Sequence, residues 1–83
     1  VYILLLSNKQ FYTGFTSNLN QRILQHQNGK VESTKHKQPL KLIHYEVYSR
    51  ESDARRREKY LKTTEGKRFL KQQIRDLLLD IQK

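Results

Sequence analysis

Residues 1–29, VYILLLSNKQFYTGFTSNLNQRILQHQNG, decide the fold. Val1–Leu6 is β-branched and aliphatic, which suits a buried strand. Ser7-Asn8-Lys9-Gln10 is polar and supplies a reversal. Phe11–Phe15 alternates aromatic and small residues and fits a second strand antiparallel to the first. In such a hairpin Tyr2 and Tyr12 come near each other, and they share a face where the register allows. Ser17 or Asn18 caps the helix that follows. Leu19 and Ile23 give that helix an apolar stripe, widened by Leu24, while Arg22 and His26 share a different face one turn apart. Gly29 stands where a helix C-terminal glycine belongs. A hairpin and one helix thus deliver two phenols, a guanidinium and an imidazole within 25 positions.

The remainder supplies one more strand and two more helices. Residues 30–41, KVESTKHKQPLK, are polar and basic without helical or strand period, so they form a loop with Pro39 at its exit. Beside the Arg22 helix this loop either tracks a phosphate backbone, with Lys35 as a contact, or is a solvated connection. His36 is expected to be exposed and idle. Leu40–Tyr48 reads as a third strand with Leu42 and His44 on one face and Ile43, Tyr45 and Val47 on the other. Ser49 or Ser52 starts a second helix with Glu51 and Asp53 in its first turn. Ala54, Glu58 and Leu61 fall on one stripe of it, and the two apolar members point that stripe at the sheet. An inward carboxylate costs free energy unless it is paired with a neighbouring cation or binds a metal. Arg55, Arg56 and Arg57 point in different directions around the same helix. Thr63 and Thr64 cap a third helix, and Leu70, Ile74, Leu77, Leu78 and Ile81 form its apolar stripe. The expected architecture is α/β: a three-stranded antiparallel sheet flanked by three helices in the order ββαβαα, one domain over residues 1–83.

Composition narrows the function. Net charge is +9 and the basic residues concentrate in the C-terminal half, with nine basic and two acidic side chains over residues 55–75. That balance favours a polyanionic partner. There is no cysteine, so neither a disulfide nor a thiolate metal site is available, in keeping with the reducing cytoplasm as the expected location. No apolar run approaches the roughly 20 residues of a membrane span, so no membrane partner is expected. No glycine-rich phosphate loop and no serine in a nucleophile-elbow context is present. His26, His36 and His44 lack metal-ligand spacing.

The ordered set of residues resembles the GIY-YIG nuclease domain family. That family is named for two short strand motifs, each carrying a tyrosine. Val1-Tyr2 is similar to the end of the first motif and Tyr12-Thr13-Gly14 to the second. The family then has an arginine in its first helix, a His or Tyr one turn later, and a metal-binding glutamate in a later helix. Arg22, His26 and Glu58 stand at those places. The resemblance covers nearly the whole chain. It implies a metal-dependent endonuclease acting on DNA, with Tyr2, Tyr12, Arg22, His26 and Glu58 as catalytic residues and Glu58 as the ligand of Mg²⁺ or Mn²⁺. Gly14, Lys35 and Arg55 are the expected substrate contacts. Two departures stand out. Many members carry an asparagine after the glutamate, and none occurs here after Asn28. Many carry a lysine just past the second motif, where this chain has Phe15.

Phosphodiester hydrolysis needs a deprotonated water, stabilised charge on the phosphoryl oxygens and a neutralised leaving oxygen. Arg22 suits the second task because its guanidinium never loses its charge. A hard cation on Glu58 suits the third. Either Tyr2 or Tyr12 activates the water, with His26 assisting as base or as hydrogen-bond partner. The alternative is a nucleic-acid-binding module of the same fold without turnover. A third reading is an interaction domain that uses the Leu70–Ile81 stripe. A monomer or weak homodimer is expected.

Overall fold

The computed structural model describes residues 1–82; Lys83, the last residue of the expected domain, lies outside the described residues. Three strands, β1 (Tyr2–Leu5), β2 (Phe11–Gly14) and β3 (Lys41–Tyr45), form one antiparallel sheet in the order β2-β1-β3. The most apolar strand is therefore central, and Ile3 and Leu4 are fully buried on opposite faces of it. Each such side chain contributes about 1.5–3 kcal/mol through burial. The hairpin closes over Ser7–Gln10 with Lys9 at φ 70, a left-handed turn conformation.

Two clusters share the sheet. Tyr2, Leu4 and Leu6 face α1 (Leu19–Gln27) and pack with Tyr12, Leu19, Ile23 and Leu42. Ile3 faces α2 (Glu51–Leu61) and α3 (Thr64–Gln73), where Ala54, Leu61 and Leu70 complete the second cluster. Leu24, expected to widen the α1 stripe, is 57% exposed instead. Asn18 caps α1 by accepting from the Gln21 amide. At the other end the Gly29 amide bonds the His26 carbonyl and the Lys30 amide bonds that of Gln25, with Gly29 at φ 71. This is a Schellman closure, and it fixes the turn that carries His26.

Four expectations need correction. β3 does not alternate strictly, because its pairing with β1 shifts between Ile3 and Leu4. Leu42 packs with the Tyr2 cluster while His44 pairs opposite Ile3, so these two do not share a face. Ser49 and Ser52 do not cap α2; Arg50 occupies the cap position without a side-chain bond. The acidic side chains of Glu51 and Asp53 in the first turn suit that helix end instead. Finally, there are four helices rather than three: Ile74, at φ −107 and ψ 28, ends α3 and begins α4 (Arg75–Ile81). Ile74 packs on the sheet cluster, whereas Leu77 and Leu79 beyond it are exposed. The apolar stripe therefore holds the core only as far as Ile74.

Candidate active site

β1 and α1 bring the first three site residues together. The Tyr2 hydroxyl lies 2.9 Å from Nε2 of His26, and Nδ1 of His26 lies 2.7 Å from Oγ1 of Thr34. Tyr2 is 1% exposed, and His26 and Thr34 are fully buried. Burial, reinforced by the positive charge of Arg22, pushes the His26 imidazole below its ordinary pKa. A neutral imidazole has one ring N–H and one bare nitrogen, so it donates to one of its two hydroxyl partners and accepts from the other. Burial likewise raises the pKa of Tyr2, and the Tyr12 phenol and Glu58 charge push the same way. Arg22 opposes this from beside the Tyr2 oxygen without offsetting it fully.

Tyr12 joins the group from β2. Its ring centroid is 6.4 Å from that of Tyr2 and 5.2 Å from the His26 ring, edge to face with the imidazole. Tyr12 is half-buried and so reaches solvent where Tyr2 does not. Both phenols favour the charged guanidinium of Arg22, which lies near each of them. Nη1 of Arg22 donates to Oε1 of Gln25 at 3.0 Å, but its buried Nε has no hydrogen-bond partner. Among the described residues no carboxylate forms an ion pair with Arg22. An orphaned buried donor costs about 1–3 kcal/mol, so this cation is built to meet something.

Glu58 lies on the inward stripe of α2 between Ala54 and Leu61, with its side chain 21% exposed. Lys62 Nζ is 3.4 Å from one of its oxygens. The negative charge of Glu58 adds to the upward push on the Tyr2 pKa, behind burial and the Tyr12 phenol. Among the described residues no group of three or more acidic, histidine or cysteine side chains is arranged to hold a metal. A single carboxylate is the kind of ligand Mg²⁺ takes beside waters and substrate phosphate oxygens, but here one of its oxygens is held by Lys62.

The remaining expected residues separate. Gly14 is buried under the Tyr2 ring; a Cβ there would collide with the phenol. Its absence of side chain is what lets Tyr2 lie across β2. Lys35 pairs with Glu32 at 3.0 Å within the loop. Arg55 pairs with Glu51 at 3.1 Å and sits over the Phe15 ring, 4.5 Å from its centroid. Thr34 and Gln38, both in the loop of residues 30–41, also meet His26 and are absent from the residues the sequence predicts. Gln38 donates its side-chain amide to the carbonyl of His26. The lone signal was the polar, hydroxyl-bearing sequence Ser33-Thr34 opposite a helix carrying His26.

A model of the GIY-YIG catalytic domain matches residues 1–72. A UPF0213 protein of Staphylococcus epidermidis is 36% identical over 72 residues, covering 86% of this chain and 88% of that protein. UPF0213 proteins of Clostridium perfringens (40% over 63 residues; 75% of this chain, 68% of the relative) and Syntrophus aciditrophicus (41% over 64; 75% and 74%) are similar. No solved structure matches the chain. No helix among the described residues is long and apolar enough to cross a membrane. A nuclease-type domain of this kind acts on nucleic acid, and the chain belongs to the GIY-YIG family.

Proposed function

We propose that the protein is a metal-dependent endonuclease that hydrolyses phosphodiester bonds in DNA. The observation that carries this reading is the half-buried Arg22, which has no acidic ion-pair partner among the described residues and lies near the Tyr2 and Tyr12 phenols. A phosphoryl oxygen that meets the half-buried guanidinium gains its undiminished charge as negative charge builds up. Tyr12, the accessible phenol, contacts the attacking water. Tyr2 is too buried to meet it and holds His26 with Thr34 behind the site. The neutral His26, edge to face with Tyr12, keeps a second cation away from Arg22 and leaves the phosphate to it. Glu58 holds Mg²⁺ or Mn²⁺, which when bound neutralises charge on the leaving oxygen. Lys62 must yield its ion pair for this. The domain makes its other contacts through phosphates, so binding is salt-sensitive with little sequence preference.

The test is nicking of supercoiled plasmid and cleavage of branched DNA with Mg²⁺, Mn²⁺ or EDTA. Metal-dependent nicking that falls at least about a hundredfold in both Arg22→Ala and Glu58→Ala supports the reading, a typical loss when a charge-stabilising group is removed. Cleavage that persists in EDTA, or in either variant, sinks it. One feature favours the non-catalytic alternative: among the described residues no group of three or more metal-ligating side chains forms. Salt-sensitive binding without cleavage in any metal would select that alternative.

A further inference from the structure

On the other side of the sheet, Lys9, Lys67 and Lys71 surround Phe11 in a cleft of about 280 Å³ without an acidic lining residue. Among the described residues none of the three lysines takes part in an ion pair. Lys71 Nζ stands 5.6 Å from the Phe11 ring centroid. Ammonium groups gathered without a counter-charge repel one another. Lys9 also adopts φ 70, a conformation that glycine or asparagine takes at lower cost. Uncompensated positive charge thus collects around a half-buried aromatic ring.

The cleft continues into a groove of about 530 Å³ that shares Lys9, Phe11 and Lys71 and adds Leu5, Leu78 and Ile81. The combined surface is cationic at one end and apolar at the other. A paired duplex offers phosphates to the lysines but keeps its bases stacked inside, so the apolar half gains nothing. An unpaired strand offers both phosphates and base faces. We propose that this cleft binds single-stranded nucleic acid, with phosphates on Lys9, Lys67 and Lys71 and a base against Phe11. Phe11 pairs with Leu5 while Gly14, under Tyr2, pairs with Tyr2 itself, about 10 Å farther along the strand. Phe11 packs toward α3 and Tyr12 toward α1, so the cleft and the Arg22 site take separate segments of the substrate. The inference rests on the nucleic-acid reading and deepens it: the substrate carries an unpaired segment beside the cleaved bond.

The test is anisotropy titration of a fluorescein-labelled oligothymidylate and of a duplex of equal length, in EDTA, over a range of salt. In a variant with Lys9, Lys67 and Lys71 all changed to Gln, the slope of log affinity on log salt for the single strand falls by about 2, from three lost phosphate contacts. Phe11→Leu, which keeps an apolar group in place, weakens the single strand about tenfold and leaves the duplex unchanged. A control with Arg50, Arg56 and Lys59 changed to Gln removes the same charge from elsewhere and leaves the slope intact. Equal losses in the control, a duplex weakened as much as the single strand, or wild-type affinity in the lysine variant would each overturn the proposal. Binding of the cleft to phosphatidylglycerol vesicles in place of oligothymidylate would overturn it as well. The nuclease reading falls separately, through absence of metal-dependent plasmid nicking.

Discussion

Thr34→Val tests whether the buried hydroxyl organises the site. Valine keeps the branched shape of threonine and replaces the hydroxyl with a methyl. The 2.7 Å contact to Nδ1 of His26 is lost, and both residues are fully buried, so no water takes its place. An unsatisfied buried polar group costs about 1–3 kcal/mol. In a domain of this size each kcal/mol lowers Tm by about 4–8 °C, so the variant melts about 4–24 °C lower. Stability alone does not separate this role from ordinary packing. The second readout is the ¹⁵N chemical shift of the two His26 ring nitrogens, which reports the tautomer directly. In the wild type both nitrogens are hydrogen-bonded; in the variant Nδ1 moves to the value of a free nitrogen while Nε2 keeps its Tyr2 partner. Thr34→Ser restores both the shift and most of the Tm. A valine variant with wild-type Tm and unmoved ring nitrogens would refute the assignment.

Two further outcomes follow from the packing away from the site. Glu46 accepts from Arg57 at 2.9 and 3.2 Å and from Tyr48 at 2.8 Å, with His44 3.0 Å away. Burial alone would raise its pKa, but these partners overcome that and lower it from 4.5 to about 2. The ionised form is favoured in the fold, so its stabilisation is present above pH 4.5 and is lost as pH falls toward 2; the gap corresponds to about 3 kcal/mol. Urea unfolding of Glu46→Gln against wild type should show a difference at neutral pH that closes on acidification; a difference that persists in acid contradicts the network. Gly66→Ala should destabilise α3 although alanine gains up to about 1 kcal/mol in helix propensity, because its Cβ would overlap the Tyr60 carbonyl. A higher Tm for that variant would show that the α2–α3 corner has room.

The hairpin and α1 were legible because their signals are local. Strand alternation, the Asn18 cap and Gly29 act within a few residues, and together they predict a hairpin carrying Tyr2 and Tyr12 and a helix carrying Arg22 and His26 one turn apart; they set that last pair off the apolar stripe, whereas His26 is fully buried against Tyr2. Glu58 was legible for a different reason: a carboxylate between Ala54 and Leu61 announces itself as an exception to the stripe. What the pattern does not carry is pairing at a distance. The shift in β3 depends on how β1 fits it, so the faces of His44 and Leu42 could not be read from alternation alone. The break at Ile74 depends on where the sheet ends, which the periodic Leu70–Ile81 run does not encode.

The same limit explains the two tyrosines. From the sequence they are equivalent: one phenol on each strand, either one a candidate for the water. Their difference arises from register. Tyr2 pairs with Gly14, whose missing side chain leaves room for the ring to lie flat across the edge strand and reach His26. Tyr12 pairs with Leu4, has no such seat, and stays at the surface. The glycine of the second motif thus sets the two phenols apart in burial. It buries Tyr2 against a neutral histidine, where a phenolate is disfavoured, and leaves Tyr12 half-buried, with Arg22 near both hydroxyls. On the nuclease reading proposed above, a phosphate arriving there meets the guanidinium beside the more accessible of the two hydroxyls, where developing negative charge is stabilised.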